Sequence, residues 1–379
     1  MKVAIVILSI ICGLGLAEAV ATYLPRSLNS EIHSKREIVY RPEIGIITNQ
    51  PYSSQVISNP WVYNTISYNK YGFRGPNWPV NMNHSELRIA VIGDSYIEGR
   101  EVNSDELLTT VLQNLIEQKS EVMNFGLSGT SQSDQIPLYT NFVTKFKPDI
   151  LIYCVTPSND FEENVRELSP NKYKNFYQLE YDKLVNILPP KWLINIYSPP
   201  INRIANLLSN LIIFKLLYQS ANRLNYLAHL SFLRPLIDCT MQAQDIDLLY
   251  LKEFNSTKYD YSKKIMEKSL LTIKGMCECN KSRFILVSVS GCYTFMAQEN
   301  PGFYQKSEYL ALRYKWLEQF AEEHSIVYLD LNKAFLELYK NQGLKSNDLH
   351  IPWDGHWTPL GHRLAAESIY AFLKNFGVQ

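Results

Sequence analysis

A short apolar run that stops at a small polar turn most constrains the fold of this chain. Residues 89–92 read Ile-Ala-Val-Ile and lead directly into Gly93, Asp94 and Ser95. The run is brief, rich in β-branched residues and ended by glycine, which favours a buried parallel strand over a helix. A serine just past the carboxyl end of such a strand lies where open α/β sheets bind their ligands. Ser95 is therefore a candidate nucleophile, although Gly, Asp and Ser also form ordinary turns.

The pattern of an apolar run after a helical stretch recurs along the chain. Further apolar runs occupy residues 122–125, 150–155, 283–288 and 326–331. Together with residues 89–92 they predict five strands that alternate with helices, and repeated βα units of this length indicate a parallel, doubly wound sheet. The runs at 122–125 and 150–155 are followed by turns that contain Gly129 and Asn159. Each of these two residues has a simple alternative as an ordinary turn residue.

Composition excludes several classes of function. The 379 residues are 46% hydrophobic, which is typical of a globular chain. The 37 basic side chains balance 37 acidic ones, so the chain lacks the basic surplus that predicts nucleic-acid binding. No second Cys or His pair has zinc-ligand spacing, and no glycine-rich loop that cradles phosphate supports a nucleotide or FMN binder. We expect no cofactor and no metal. A disulfide between Cys239 and either Cys277 or Cys279 is an open alternative if the domain is exported.

The first residues differ from the rest and predict a signal peptide or membrane anchor over residues 1–25. Residues 3–17 carry no charge, and apolar character resumes after Glu18 as far as Leu24, which is long enough to span a bilayer. Four basic residues follow the segment, namely Arg26, Lys35, Arg36 and Arg41. Basic residues favour the cytoplasmic side of a membrane, so this distribution argues against export of the domain that follows. We still expect an extracytoplasmic domain, anchored by this segment or secreted after cleavage. Residues 26–85 then form an extension of turns that packs on the core.

The end of the chain supplies a candidate base. Asp354, Gly355 and His356 precede a predicted helix over residues 363–375. Residues two apart in an extended segment point the same way, so Asp354 would orient His356, which would take the proton of Ser95. Asp348 and His350 share this spacing and remain a second candidate pair.

These segments, taken in order, resemble a known superfamily. Four segments of this chain are similar to the four blocks of the SGNH (GDSL) hydrolases: Gly93-Asp94-Ser95, Gly129, Asn159 and Asp354-Gly355-His356. The resemblance covers about residues 86–375, interrupted by a helical insertion at about 162–255 whose apolar residues 204–233 suggest amphipathic helices. It implies a three-layer α/β/α flavodoxin-like domain with a five-stranded parallel sheet.

The resemblance also implies roles for the site residues. Ser95 would be the nucleophile and His356 the base, with an oxyanion hole formed by the Ser95 N–H, the Gly129 N–H and the Asn159 side-chain amide. Two features depart from the superfamily pattern, since Ser158 replaces a glycine and the usual Asp-x-x-His spacing would put Trp353 at the acid position. The Asp-x-His spacing found here is similar to that of SGNH relatives that move acetyl groups on exported polysaccharides.

The expected activity is therefore that of a serine esterase. It would act through an acyl-enzyme on small acyl esters of cell-envelope carbohydrate or lipid. An O-acyltransferase on exported polysaccharide is one alternative. A catalytically inactive binding or scaffold protein with the same fold is another.

Overall fold

The computed structural model describes residues 37–58, 62–81, 87–117, 119–171, 174–198, 257–352 and 354–378. The predicted N-terminal segment at 1–25, Cys239, Trp353 and the apolar residues 204–233 lie outside the described residues.

A five-stranded parallel sheet forms the centre of the domain, which confirms the predicted sheet. The first of its strands in the chain, β5 (Leu87–Gly93), pairs on one side with the second and on the other with the third. Numbered by chain order within the sheet, the strands therefore run 2-1-3-4-5, the flavodoxin-like order. The strands are β5 (Leu87–Gly93), β6 (Ser120–Gly126), β7 (Ile150–Val155), β10 (Arg283–Ser288) and β11 (Val327–Asp330).

Alternate residues of the strands enter two separate hydrophobic cores, one on each face of the sheet. In β5, Ala90 and Ile92 join one core, whereas Ile89 and Val91 join the other. Both faces are covered by helices, so the strands are apolar on both sides and read as unbroken hydrophobic runs. This arrangement makes a helix–sheet–helix sandwich.

The helices divide between the two faces. The first core receives side chains from α3 (Gln132–Asn141), α6 (Thr257–Cys279) and α8 (Tyr304–Glu323). The second core receives them from three other helices, α2 (Leu108–Leu115), α9 (Leu331–Gln342) and α11 (Pro359–Leu373). Shorter helices lie at loops: α1 (Ser95–Glu98), α4 (Asp160–Glu163), α5 (Lys191–Tyr197), α7 (Tyr293–Glu299) and α10 (Ser346–Leu349).

Helix α1 crosses directly over the end of strand β6. A Cβ atom on Gly126 would overlap the backbone nitrogen of Glu98, and one on Gly93 would overlap the Ile97 side chain. Gly93 and Gly126 are register partners at the ends of β5 and β6. Glycine at both positions therefore lets α1, which begins at Ser95, lie against the sheet edge.

Where the structure describes it, the N-terminal extension contains two antiparallel strand pairs and a loop that packs on the core. Strand β1 (Ile38–Arg41) pairs with β2 (Ile46–Asn49), and β3 (Ser54–Ser58) pairs with β4 (Tyr63–Ser67). The Phe73 ring meets the Phe125 ring edge-on at 5.3 Å, inside the first core. Part of this extension is thus integral to the domain core.

A buried carboxylate fastens this extension to the nucleophile turn. Glu98 accepts hydrogen bonds from Asn49 Nδ2 at 3.1 Å and from the Tyr68 hydroxyl at 2.8 Å. Its other oxygen accepts the Ser128 N–H at 2.6 Å. One side chain of α1 therefore joins the extension to the loop that carries Gly129.

The predicted helical insertion contains strands where the structure describes it. Strands β8 (Phe176–Glu180) and β9 (Lys183–Ile187) form an antiparallel hairpin, followed by the short helix α5. The two turn residues, Tyr181 and Asp182, have φ angles of 47° and 64°, as a two-residue hairpin turn requires. That turn usually contains glycine, and its absence here explains why the sequence did not predict the hairpin.

Within the described ranges, no helix has the length and apolar character needed to cross a membrane. Cys277 is buried, Cys279 is exposed, and both carry free thiols.

Substitution of Gly126 by alanine tests the close packing of α1 on β6. We expect G126A to lower the free energy of unfolding by about 1–3 kcal/mol, because the added methyl group displaces the Glu98 backbone. Urea denaturation measures this change. G275A is the matched control, since Gly275 lies in α6 with open space around it and should gain up to about 1 kcal/mol from helix propensity. Equal stability of G126A and the wild type would contradict the packing.

Candidate active site

Ser95 is the first residue of α1 and follows the carboxyl end of strand β5, which lies between β6 and β7. The Asp94 side chain caps the helix by accepting the Tyr96 N–H at 3.0 Å. The sheet order reverses at β5, which is where open α/β sheets form a ligand crevice. No hydrogen-bond acceptor for the Ser95 N–H is found among the described residues. The half-buried Ser95 hydroxyl and this free N–H thus lie together at the sheet edge.

His356 reaches Ser95 from the far end of the chain. Its Nε2 atom lies 2.7 Å from the Ser95 Oγ atom, and its Nδ1 atom is hydrogen-bonded to the Asp354 carboxylate. The ring is further supported by Tyr96, whose ring centroid is 5.0 Å away and whose hydroxyl donates to the Gly355 carbonyl at 2.8 Å. The structure therefore brings Ser95, His356 and Asp354 into one hydrogen-bonded row.

The segment that joins Asp354 to His356 is a turn, so the expectation of an extended segment was wrong. Gly355 has a left-handed φ of 86°, and its N–H bonds to the Ile351 carbonyl at 2.9 Å. One oxygen of Asp354 accepts both the His356 backbone N–H, at 3.3 Å, and the ring Nδ1. The turn carries little backbone strain at Gly355, because glycine adopts positive φ without a Cβ clash.

The charges around His356 favour its protonated form. Burial opposes a charged ring, but the Asp354 hydrogen bond and the negative charge of Glu101 outweigh it and raise the pKa of His356 to about 9. Burial also acts to raise the pKa of Asp354, yet the hydrogen bond from His356 prevails and lowers it. Nε2 therefore becomes free to accept a proton as the pH rises toward 9.

Glu101 is a second carboxylate beside the histidine, and the sequence did not predict it. Its Oε1 atom lies 4.0 Å from His356 Nδ1, and its side chain is only 10% exposed. Burial raises the pKa of Glu101. Together with Asp354 and His356 it forms the one group, within the described ranges, whose ligand atoms could hold a metal, all within 4.8 Å of one another. A metal there would displace the hydrogen bond between His356 and Asp354.

Asn159 lies in the turn after β7, directly before helix α4. Its side-chain Nδ2 donates to Glu163 Oε1 at 3.2 Å, which leaves the second amide hydrogen available. Asp160 holds the turn by accepting the Thr156 N–H at 2.8 Å. Ser158 does not have a positive φ, so the turn does not need the glycine that it replaces.

Gly129 lies in the loop after β6, with a left-handed φ of 78° and open space where a Cβ would be. Its N–H has no hydrogen-bond acceptor within the described part of the chain. Its carbonyl lies 3.5 Å from the Lys174 Nζ atom. Gly129 does not line the cavity next to Ser95, unlike the other predicted site residues.

A cavity of 420 Å³ opens beside the Ser95 hydroxyl. Its walls come from the turns after β5 and β7, from residues 291–293 after β10, and from the turn that carries Asp354 and His356. Polar Ser158 and Asn159 and apolar Leu168 and Pro170 line it. The cavity has space for a small acyl group and the adjoining part of its alcohol.

The second candidate pair, Asp348 and His350, has a structural role. His350 is buried, and its Nε2 lies 3.3 Å from the Ser290 carbonyl. Burial lowers the pKa of His350 to about 4, and Asp348 accepts the Lys345 N–H at 2.7 Å. His362 is likewise buried, and its Nδ1 accepts the Leu108 N–H at 3.3 Å. Neither histidine lines the cavity.

Several residues around the site were missed from the sequence. Glu163 follows Asn159 by four positions, a helical spacing that places the two side chains together. Glu101 carries no local signal, because its burial depends on contact with the distant His356. Lys174 belongs to no recognisable motif, and lysine is a residue type that is usually exposed.

Comparison with known proteins gives distant structural matches. No protein-family model and no curated protein matches this chain. It is similar to a member of the lipolytic GDSL protein family from Veillonella parvula, with 13% identity, a TM-score of 0.38, and coverage of 76% of this chain and 98% of the other. An acetylxylan esterase from Geobacillus stearothermophilus has 15% identity and a TM-score of 0.39, with 78% and 96% covered.

A third similar structure is an α/β hydrolase from the metagenome of Lake Arreo, Spain. It has 16% identity and a TM-score of 0.41, over 79% of this chain and 98% of that chain. GDSL is the family that the four sequence blocks resemble.

Removal of the Glu101 charge tests the electrostatics of His356. We expect E101Q to lower the pKa of His356 from about 9, because Glu101 is one of three carboxylates, with Asp354 and Asp94, that favour the imidazolium. NMR titration of the imidazole resonances measures the shift. E121Q, which removes a carboxylate paired with Arg88, is the control and should leave this pKa unchanged. An unchanged pKa in E101Q would show that the charge of Glu101 does not act on the ring.

The raised pKa also has a consequence for stability. The folded-state pKa lies above the ordinary value of 6.5, so the charged pair stabilises the fold fully below about pH 6.5. This stabilisation is lost as the pH rises through about 9, and E101Q should lose less of it.

Proposed function

We propose that this chain is a serine-dependent ester hydrolase that acts through an acyl-enzyme on small acyl esters. One observation carries the proposal: His356 Nε2 lies 2.7 Å from Ser95 Oγ although the two residues are 261 positions apart. The ring is held by Asp354 on its other nitrogen. A nucleophile bonded to a base that is itself oriented by an acid is the arrangement that acyl transfer needs.

In the first half-reaction, Ser95 Oγ attacks the ester carbonyl while its proton passes to His356 Nε2. Asp354 holds the imidazole in the required tautomer and stabilises the imidazolium. The carbonyl oxygen becomes an oxyanion, which the Ser95 N–H and the Asn159 amide would bind with the Gly129 N–H. The C–O bond to the alcohol then breaks, and His356 gives its proton to the leaving oxygen.

In the second half-reaction, water replaces the alcohol. His356 takes a proton from water, the hydroxide oxygen attacks the acyl carbon, and the bond to Ser95 Oγ breaks as His356 returns the proton. Only interactions that strengthen in the tetrahedral state raise the rate, which is why the oxyanion donors matter.

The proposed substrates are small acyl esters of cell-envelope carbohydrate or lipid. The cavity volume of 420 Å³ and its mixed lining support a short acyl group on a polar alcohol. The Asp-x-His spacing and the apolar N-terminal segment support carbohydrate outside the cytoplasm, reached by a domain that this segment anchors or exports. The apolar residues 204–233 support lipid.

An O-acyltransferase on exported polysaccharide is the second candidate. It uses the same acyl-enzyme, which a sugar hydroxyl would resolve in place of water. The Asp-x-His spacing supports it, because SGNH relatives that move acetyl groups have similar spacing. The side chains of His356 and Asp354 are 25% and 30% exposed, which gives an acceptor hydroxyl access to the base.

Turnover of p-nitrophenyl acetate by the full chain tests the proposed nucleophile and base. We expect S95A and H356A each to lower kcat/KM by about three orders of magnitude or more, because each removes one member of a unit that acts together. H350Q is the matched histidine control and should keep turnover within about threefold, since His350 lies outside the site. An inert but folded wild type, or an active S95A, would favour the binding or scaffold alternative.

Partitioning of the acyl-enzyme separates hydrolysis from transfer. With 14C-acetyl-labelled ester and added oligosaccharide acceptors, we expect the label to appear chiefly as free acetate, because water needs no binding site. Thin-layer chromatography of the products measures the ratio. Label found predominantly on the oligosaccharide would make the transferase the better description.

A further inference from the structure

We propose that Lys174 is a positioning residue that sets the oxyanion-binding groups of this site, and the proposal rests on the esterase function above. Lys174 lies in the insertion between the third and fourth strands of the sheet, and its local sequence does not point to a role. Its side chain is only 6% exposed, so its ammonium group is removed from bulk water and held by protein groups.

The Lys174 ammonium group contacts both loops that carry predicted oxyanion donors. Its Nζ atom lies 2.8 Å from Glu163 Oε2 on helix α4, and 2.9 Å from Ser131 Oγ in the loop after β6. The Gly129 carbonyl lies 3.5 Å from the same atom. One buried cation therefore joins the turn of Asn159 to the loop of Gly129.

Glu163 transmits the position of Lys174 to Asn159. One carboxylate oxygen of Glu163 binds Lys174, and the other accepts the Asn159 side-chain N–H at 3.2 Å. A carboxylate held at both oxygens cannot rotate freely, so it fixes the plane of the Asn159 amide. Ser131 adds a second link, because its hydroxyl donates to the Glu163 backbone carbonyl at 3.1 Å.

The charges of this cluster require a cation at position 174. Asp134 Oδ2 lies 3.7 Å from Lys174 Nζ, so the buried Asp134 and the partly buried Glu163 face one ammonium group. Burial raises the pKa of Asp134 to about 6 even with Lys174 beside it. Without the lysine, Glu163 would lose the ion pair that holds its carboxylate beside Asn159.

The consequence for catalysis is a loss in kcat. An oxyanion donor binds the tetrahedral state more strongly than the ground state, and removal of one such donor costs about 10²- to 10³-fold in kcat. Loosening a donor costs part of this. We expect K174M to lower kcat about 10- to 100-fold while KM changes by less than about threefold.

The experiment is a double-substitution cycle in the p-nitrophenyl acetate assay. It compares wild type, K174M, N159A and K174M/N159A, with folding checked by thermal denaturation. If Lys174 acts through Asn159, K174M costs much less in the N159A background than in the wild type. E163M is the second variant, because it cuts the link to Asn159 yet leaves Lys174 paired with Asp134; it should reproduce the kcat loss if K174M does not fold.

The matched control is K268M. Lys268 also pairs with a carboxylate of the insertion, Asp182, but at the exposed end of the hairpin, and this variant should keep the wild-type kcat. Retention of kcat in both K174M and E163M, or a K174M loss of equal size in both backgrounds, overturns the proposal. An inactive wild type overturns the esterase function instead, so the two failures are distinguishable.

Discussion

The close approach of helix α1 to the ends of β5 and β6 is the constraint on which the site depends. Gly93 and Gly126 leave no side chain between the helix and the sheet edge. The chain can then turn within one residue from a buried strand into α1 and leave Ser95 at the edge. Because the strand order reverses at β5, loops from both sides of the sheet meet above this serine.

Buried charged groups then connect the loops to one another. Glu98 binds the N-terminal extension and the loop after β6, and Arg313 binds Glu162 in α4 through both of its carboxylate oxygens. Each such group loses solvation when buried, and each is compensated by several hydrogen bonds. Loss of one partner would leave an uncompensated buried charge, so these contacts hold the loops in one arrangement.

The sequence predicted the parts of the fold that depend on local pattern. Buried parallel strands are apolar on both faces, so residues 150–155 could be recognised without any partner. Ser95 was proposed because it follows an apolar strand that ends in glycine. His356 was proposed because it stands in an Asp-Gly-His segment that precedes a helix. The four-block resemblance then related them to each other, and the structure places them in contact.

The remaining features depend on contacts between distant segments or on backbone angles. Lys174 and Glu101 have ordinary local sequences, and only the folded chain buries them beside their partners. The hairpin turn at Tyr181 and Asp182 has an unusual sequence for positive φ angles. The turn at Gly355 was predicted as extended because the spacing of two suits both conformations.

The Asp354–Gly355–His356 turn carries both the proposed acid and the proposed base. Both side chains depend on one tight loop, closed by backbone hydrogen bonds to Ile351, and not on separate strands. A displacement of this loop would move the pair together, so the imidazole would keep its tautomer while its distance to the serine changed. The distance from base to nucleophile therefore depends on the position of this one loop, whereas the hydrogen bond between acid and base does not.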